Sequence, residues 1–329
     1  MSSDLHFSDK LTLLQAWIFE QLVQPTLFAL GLGEFVEDAF EGVEWFVLGA
    51  VQLLLLFVIL RPLEAWLPVQ TIGSRRARWN DFTYTALHRL GAFTVLVFFI
   101  LTPMFDQVSA WLHLEGIQPF NLEDIWSGFL TYPALLFFAY LFVLDFFDYW
   151  YHRASHHFDW WWGLHSLHHS QREMNLWSDN RNHVLDDLLR DVYMGLIALV
   201  IGVEPGQYVL LVMASQMLQS LQHANVRLHF GRFGEYLLVS PRYHRTHHAI
   251  VPAHAGAANT AKGGHNFAVL FPLWDYCFGT ALLQQEFVRT GIADQLAPPQ
   301  GRAREYGQGF WSQQYLGVKR MLGIDRENS

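Results

Sequence analysis

The stretch DYWYHRASHHFDWWWGLHSLHHS, residues Asp148–Ser170, decides the reading of this chain. Six of its residues are histidine: His152, His156, His157, His165, His168 and His169. Further along, HRTHH supplies His244, His247 and His248. The spacings within these boxes are three and four residues, which place side chains on one face of a helix. Neutral imidazole is the commonest metal ligand in proteins. The H-x-x-H-H form occurs twice, so chance clustering is a poor account. Of the 17 histidines, all but His6, His88 and His113 lie between positions 152 and 265.

Eight box imidazoles exceed what one zinc takes. Structural zinc closes at four ligands, and catalytic zinc keeps three. The set suits two metals with a position left for a small molecule. Ligand type alone does not select among Fe, Zn, Cu and Ni.

The surroundings narrow the chemistry. Hydrophobic residues make up 52% of the 329 residues and charged ones only 16%. A soluble domain is nearer a quarter charged, so the composition points to lipid. Phe (27) and Trp (13) are abundant, as at membrane interfaces. The net charge of -9 argues against nucleic acid as a partner. Cys277 is the single cysteine, which excludes an intrachain disulfide and thiolate metal sites. The N-terminal MSSDLHFSDK lacks the basic region of a cleaved signal, so insertion is expected through internal apolar segments.

Three spans are expected: Val43 to Leu60, Gly91 to Phe105 with a start near Ala86, and Phe129 to Phe147. Residues 192–222, broken at Glu204-Pro205-Gly206, read as a membrane hairpin of two short helices. Leu11 to Gly33 reads as an amphipathic helix interrupted by Glu20 and Pro25. Arg61, Arg75, Arg76, Arg78 and Arg89 follow the first span, and Arg153, Arg172, Arg181 and Arg190 follow the third. Between the second and third lie only acids: Asp106, Glu115, Glu123 and Asp124. By the positive-inside rule the histidine boxes and the C-terminal region face the cytosol. The expected fold is all-α: a multi-pass membrane helical bundle under a cytosolic histidine-rich helical cap. The expected division is a membrane region at 1–128, a histidine-box domain at 129–283 and a polar C-terminal tail at 284–329.

HRASH, HSLHH and HRTHH, with LDFFDYWYHR before them and NFAVLFPLWDYCFGT after, resemble the fatty acid hydroxylase/sterol desaturase superfamily. Its members carry H-x(3,4)-H, H-x(2,3)-H-H and H-x(2,3)-H-H boxes in this order. The resemblance covers about Leu130 to Thr280. It implies an integral-membrane oxygenase with two irons, O2 as co-substrate, and an apolar lipid-type substrate: a fatty lipid, sterol, isoprenoid or ether lipid. It implies hydroxylation or desaturation of a C–H bond, in a bacterial inner membrane or the ER. No haem, flavin or iron–sulfur motif is recognisable in the sequence, so an external electron donor of cytochrome b5, ferredoxin or flavoreductase type is expected. Zinc can substitute for iron in preparations. The expected ligands are His152, His156, His165, His168, His169, His244, His247 and His248. The resemblance adds His223, in LQHANVR, and His183, in RNHVLDD. His157 and His265 are weaker candidates. His6, His88, His113, His229 and His254 read as ordinary surface residues.

Metal-bound histidine usually gives its second N–H to a carboxylate or carbonyl. Asp145 and Asp148, just before the first box, are the leading partners; Asp186, Asp187, Asp191 and Asp275 are further candidates. Trp160, Trp161 and Trp162 read as an interfacial belt. Two other classes compete. A zinc-dependent membrane hydrolase would want a Glu base inside a ligand box, as in H-E-x-x-H, and no box holds one. A metal transporter would carry ligands along its spans.

Overall fold

The computed structural model describes residues 7–250, 264–296 and 303–324. The architecture is helical. Among the described residues no strand forms, only isolated bridges pairing Pro68 with Val226 and Ala249 with Thr290. The principal helices are α1 (Phe7–Ile18), α2 (Gly33–Trp66), α3 (Arg75–Arg89), α4 (Ala92–Leu114), α5 (Pro133–His157) and α6 (Asp159–His169). They continue with α7 (Val184–Val200), α8 (Pro205–His223), α9 (Gly231–Leu237), α10 (Pro241–His247), α11 (Leu273–Cys277) and α12 (Phe310–Met321).

Among the described residues, α2 and α5 are the two helices long and apolar enough to cross a membrane. The 25 residues of α5 span about 37 Å at about 1.5 Å each, more than a hydrocarbon core of about 30 Å. Its last turns therefore extend past the apolar stretch and carry His152 and His156. The first box and the third expected span are one helix. The second expected span begins later than Ala86. Gly91, at φ +84°, ends α3 and lets α4 start at Ala92. The 192–222 segment is the expected helical pair, with α7 and α8 joined at 201–204.

Leu136, Tyr140, Leu141 and Leu144 of α5 pack with Met194 and Ala198 of α7 and Leu211 of α8. A second cluster joins the end of α2 (Leu56, Leu60) to Leu176, Trp177, Ala224 and Val226. Buried Glu64 reinforces that junction. Its Oε1 accepts from the backbone N–H of Leu176 (2.7 Å) and of Asn225 (2.8 Å). One carboxylate thus ties the loop after the second box to the exit of α8.

The C-terminal region is more than a polar tail. Helix α12 packs on α6, and Arg320 Nε donates to the Gly163 carbonyl at 3.1 Å. A Cβ on Gly163 would lie 2.5 Å from Met321 N and 2.7 Å from its Cα. Sequence polarity hid this contact, because it is made by backbone approach and not by a wide apolar face. Gly163→Ala is expected to destabilise the protein by about 1–3 kcal/mol through overpacking against backbone. Thermal unfolding and the rate of proteolysis near α12 check this; an unchanged profile would show that α12 docks loosely.

Candidate metal centre

Four elements bring the histidines together. Helix α5 supplies His152 and His156 in consecutive turns. Phe158 is extended (φ -85°, ψ 127°) and breaks the chain into α6, which carries His165, His168 and His169. His223 is the last residue of α8. Ser240 caps α10 by accepting from Tyr243 N at 3.1 Å, and Pro241 occupies the first turn. That short helix presents His244 and His247, with His248 at its end.

The imidazoles form two buried sets of four. His152, His156, His169 and His247 make one; His168, His223, His244 and His248 make the other. Within each set one ring nitrogen from every histidine lies within 4.8 Å of the others. Adjacent residues on a helix point about 100° apart, so His168 and His169 go to different sets. His247 and His248 divide in the same way. The sets touch where His169 stacks on His248, with ring centroids 4.2 Å apart.

Within each set the ring nitrogens face one another. His223 Nδ1 donates to the Gln219 carbonyl, His152 Nδ1 to that of Phe267 and His247 Nδ1 to that of His265, each at 2.8 Å. A carbonyl can only accept, so in each neutral ring Nε2 is a bare lone pair. These lone pairs meet other Nε2 atoms. His223 Nε2 is 3.1 Å from His168 Nε2 and 3.0 Å from His244 Nε2. His247 Nε2 is 3.1 Å from His169 Nε2. Nitrogens bound about 2.1 Å from one ion sit about 3.0 Å apart at right angles. His156 is buried beside His169 and His247, with ring centroids 4.6 and 4.8 Å away. The donor set is all nitrogen, which fits iron and zinc alike.

Burial pushes His168, His169, His244, His247 and His248 well below the ordinary imidazole range, and neighbouring rings add to it. The rings are therefore neutral near pH 7, the form that binds metal.

His165 stands at the edge of the first set, its ring centroid 4.9 Å from that of His156. Its Nδ1 bonds Asp186 Oδ2 at 2.9 Å, and its buried Nε2 has no partner. Asp186 also accepts from Trp161 Nε1 (2.7 Å) and Tyr151 OH (2.8 Å). Burial raises its pKa, but those donors outweigh burial and hold it below the usual carboxylate value.

His183 does not join either set. Its Nδ1 accepts from Leu185 N at 3.1 Å, capping α7, and its Nε2 donates to the Gln314 carbonyl at 2.8 Å. Both nitrogens are used. The carboxylate assignments also change. Asp145 accepts from Leu270 N (2.7 Å), Phe271 N (3.0 Å) and Trp274 Nε1 (3.0 Å), so it anchors the segment after the third box. Asp148 pairs with Arg190 through Nε (3.0 Å) and Nη2. Neither holds an imidazole. Asp186 does, and Asp179 Oδ1 lies 3.7 Å from His223 Nδ1. Asp179 is itself gripped by Arg89 Nη2 and Ser220 Oγ, both at 3.1 Å. Asp275 works at one remove: it takes Phe267 N (2.8 Å), and the Phe267 carbonyl receives His152.

Of the three tryptophans only Trp160 is largely exposed. Trp162 faces His156 and His169, with centroids 4.9 and 5.3 Å away. His157 is exposed, and His265 contributes its carbonyl to His247. His6 and His254 lie outside the described residues.

A cavity of about 300 Å³ opens against both sets, reaching His152, His165, His168, His223 and His244. Trp45, Leu101 and Phe105 line it from α2 and α4.

The fold and this paired histidine site define a helical protein with two all-histidine sets that could each hold a metal ion. The fatty acid hydroxylase family model matches residues 137–280, which supports the resemblance to the fatty acid hydroxylase/sterol desaturase superfamily. Three similar curated proteins are alkylglycerol monooxygenases. The human protein is 27% identical over 228 residues, 59% of this chain and 48% of that protein. That of Caenorhabditis elegans is 28% identical over 159 residues, 48% and 28%. That of Danio rerio is 26% identical over 186 residues, 56% and 38%. The chain thus spans less than half the length of these relatives. No solved structure matches it.

The two sets give a direct expectation. Protein loaded with iron or zinc should hold about two ions per chain. His223→Ala should lose about one of them, and His183→Ala should keep both but lower the melting temperature through the lost cap, worth about 0.5–2 kcal/mol. Elemental analysis checks both. Full occupancy in His223→Ala would remove that residue from the site.

Proposed function

We propose that the chain is a membrane-embedded, iron-dependent lipid oxygenase. One iron is held by His152, His156, His169 and His247 with His165 at their edge, the other by His168, His223, His244 and His248. The observation that carries this reading is the division of the boxes into two buried all-imidazole sets sharing one cavity. Bound iron supplies the O2-dependent chemistry that takes a hydrogen atom from an unactivated carbon.

The chain's own residues do the rest. The carbonyls of Gln219, Phe267 and His265 fix three rings in the ligand tautomer. Asp186 orients His165. Trp162 and Phe267 shield the first set from water. The cavity admits a substrate between helices of the membrane region. The relatives' printed activity, monooxygenation of alkylglycerols, favours an ether lipid among the possible substrates. Electrons come from an external donor protein of cytochrome b5, ferredoxin or flavoreductase type.

The reading includes a multi-pass arrangement with the histidine cap in the cytosol, a membrane region at 1–128, the catalytic domain at 129–283 and the C-terminal segment at 284–329. Several arginines serve the interior as well as topology. Arg89 pairs with Asp179 and Arg190 with Asp148, while Arg181 donates to Gln171 Oε1. The orientation then rests on Arg75, Arg76, Arg78, Arg153 and Arg172.

Purified protein with an artificial reductant should consume O2 only when an ether-lipid such as 1-O-hexadecylglycerol is present, and should convert it to an oxygenated product. No lipid-dependent uptake across ether-lipid, sterol and fatty acid probes would reject the oxygenase reading. A reporter at Glu115 should read external and one after Ser329 cytosolic. A cytosolic signal at Glu115 would reverse the orientation.

A further inference from the structure

The cavity beside the histidine sets is polar where an alkyl chain would want it dry. Gln222 and Asn180 both line it, and both side chains are more than nine-tenths buried. Gln222 Nε2 donates to the Val269 carbonyl at 2.8 Å. That bond fixes the amide, since the flipped form would set oxygen against oxygen. Gln222 Oε1 is left buried with no partner in the protein, and so is Asn180 Oδ1. Both residues sit at the metal side. Gln222 precedes His223, and Asn180 follows Asp179, which lies 3.7 Å from His223 Nδ1. Asp191 and Tyr208 also line the cavity, with Asp191 beside Asp187, Arg190 and His88.

Three of these four groups are acceptors only: two amide oxygens and a carboxylate. The Arg190 guanidinium, the strongest cation in the wall, is already engaged by Asp148. An alkyl tail packed here would strand the buried acceptors. A phosphate would face the Asp191 carboxylate and two amide oxygens, beside a guanidinium that Asp148 already engages. A head group rich in hydroxyl donors satisfies them all.

We infer that Asn180 and Gln222 are specificity-determining residues that accept hydrogen bonds from an uncharged, hydroxyl-bearing lipid head, so that the substrate enters head-first and its alkyl chain leaves past Trp45, Leu101 and Phe105. This rests on the reading of the cavity as the substrate site of a lipid oxygenase. It adds the orientation of the substrate, the charge of its head and the residues that read it.

Binding tests it without turnover. Three probes are titrated against the zinc-loaded full chain in detergent, followed by quenching of tryptophan fluorescence: 1-O-hexadecylglycerol, its 2,3-di-O-methyl ether, and its 3-phosphate. The diol should bind about tenfold or more tighter than either analogue, as expected when buried acceptors lose their donors. Gln222→Met and Asn180→Leu should each weaken the diol about tenfold and leave the dimethyl ether unchanged, with metal content retained. Tyr208→Phe removes only the hydroxyl and should cut the diol preference by a smaller factor. Asn180 is not adjacent to a histidine of either set, so its variant decides the matter if Gln222→Met loses metal. Equal binding of the three probes, preference for the phosphate, or an undiminished diol preference in metal-replete Asn180→Leu would overturn the inference. Oxygen uptake is not read here. A diol preference without turnover in the iron-loaded enzyme would sink the oxygenase reading alone, and turnover without a diol preference would sink this one alone.

Discussion

Nine imidazoles gathered in one buried volume are the constraint on which the structure depends. Buried polar rings are costly unless every nitrogen finds a partner. The protein satisfies one side of several rings with a carbonyl or carboxylate and turns the other side inward. Converging lone pairs repel each other in the absence of a cation. A metal bound at each set would help hold α5, α6, α8 and α10 together, as binding free energy at a site absent from the unfolded chain becomes folding free energy.

The surrounding helices serve that constraint. Glu64 at the end of α2 holds the loops that follow α6 and α8. Asp145 holds the segment after the third box, and Asp275 ties Phe267 N to the Tyr243 hydroxyl of α10, with Tyr243 OH donating to Asp275 Oδ2 at 3.0 Å. Arg89 reaches from the end of α3 to Asp179. The N-terminal helices are thus wired into the site by buried carboxylates and one guanidinium, each with several partners. Removing one partner would leave a buried charge unbalanced.

Much of this was legible in the sequence. The box spacing placed the histidines on helix faces, and both box repeats split as helical geometry requires. His223 stood out through the motif LQHANVR, beside the eight box histidines. The ligand sets differ from that count because His165 stands aside, oriented by Asp186, and His223 completes the second set. His183 caps α7 and contacts the Gln314 carbonyl, and a histidine near a box looks the same in sequence whether it faces a metal or caps a helix. Asp145 and Asp148 misled for a related reason. On α5 they precede the first box by one or two turns and point to the 270–274 segment and to α7. The true ring partners are mostly backbone carbonyls, which carry no sequence signature. The docking of α12 was hidden because Gly163 and Gly317 permit it by having no side chain.

The central claim is that two metals sit in all-imidazole shells. Iron K-edge absorption spectroscopy on anaerobically loaded protein tests it most directly. The account predicts a first shell dominated by imidazole nitrogens, with the outer-shell scattering of several rings per iron and about two irons per chain. A shell dominated by carboxylate oxygens, or one iron per chain with the second set vacant, would contradict it.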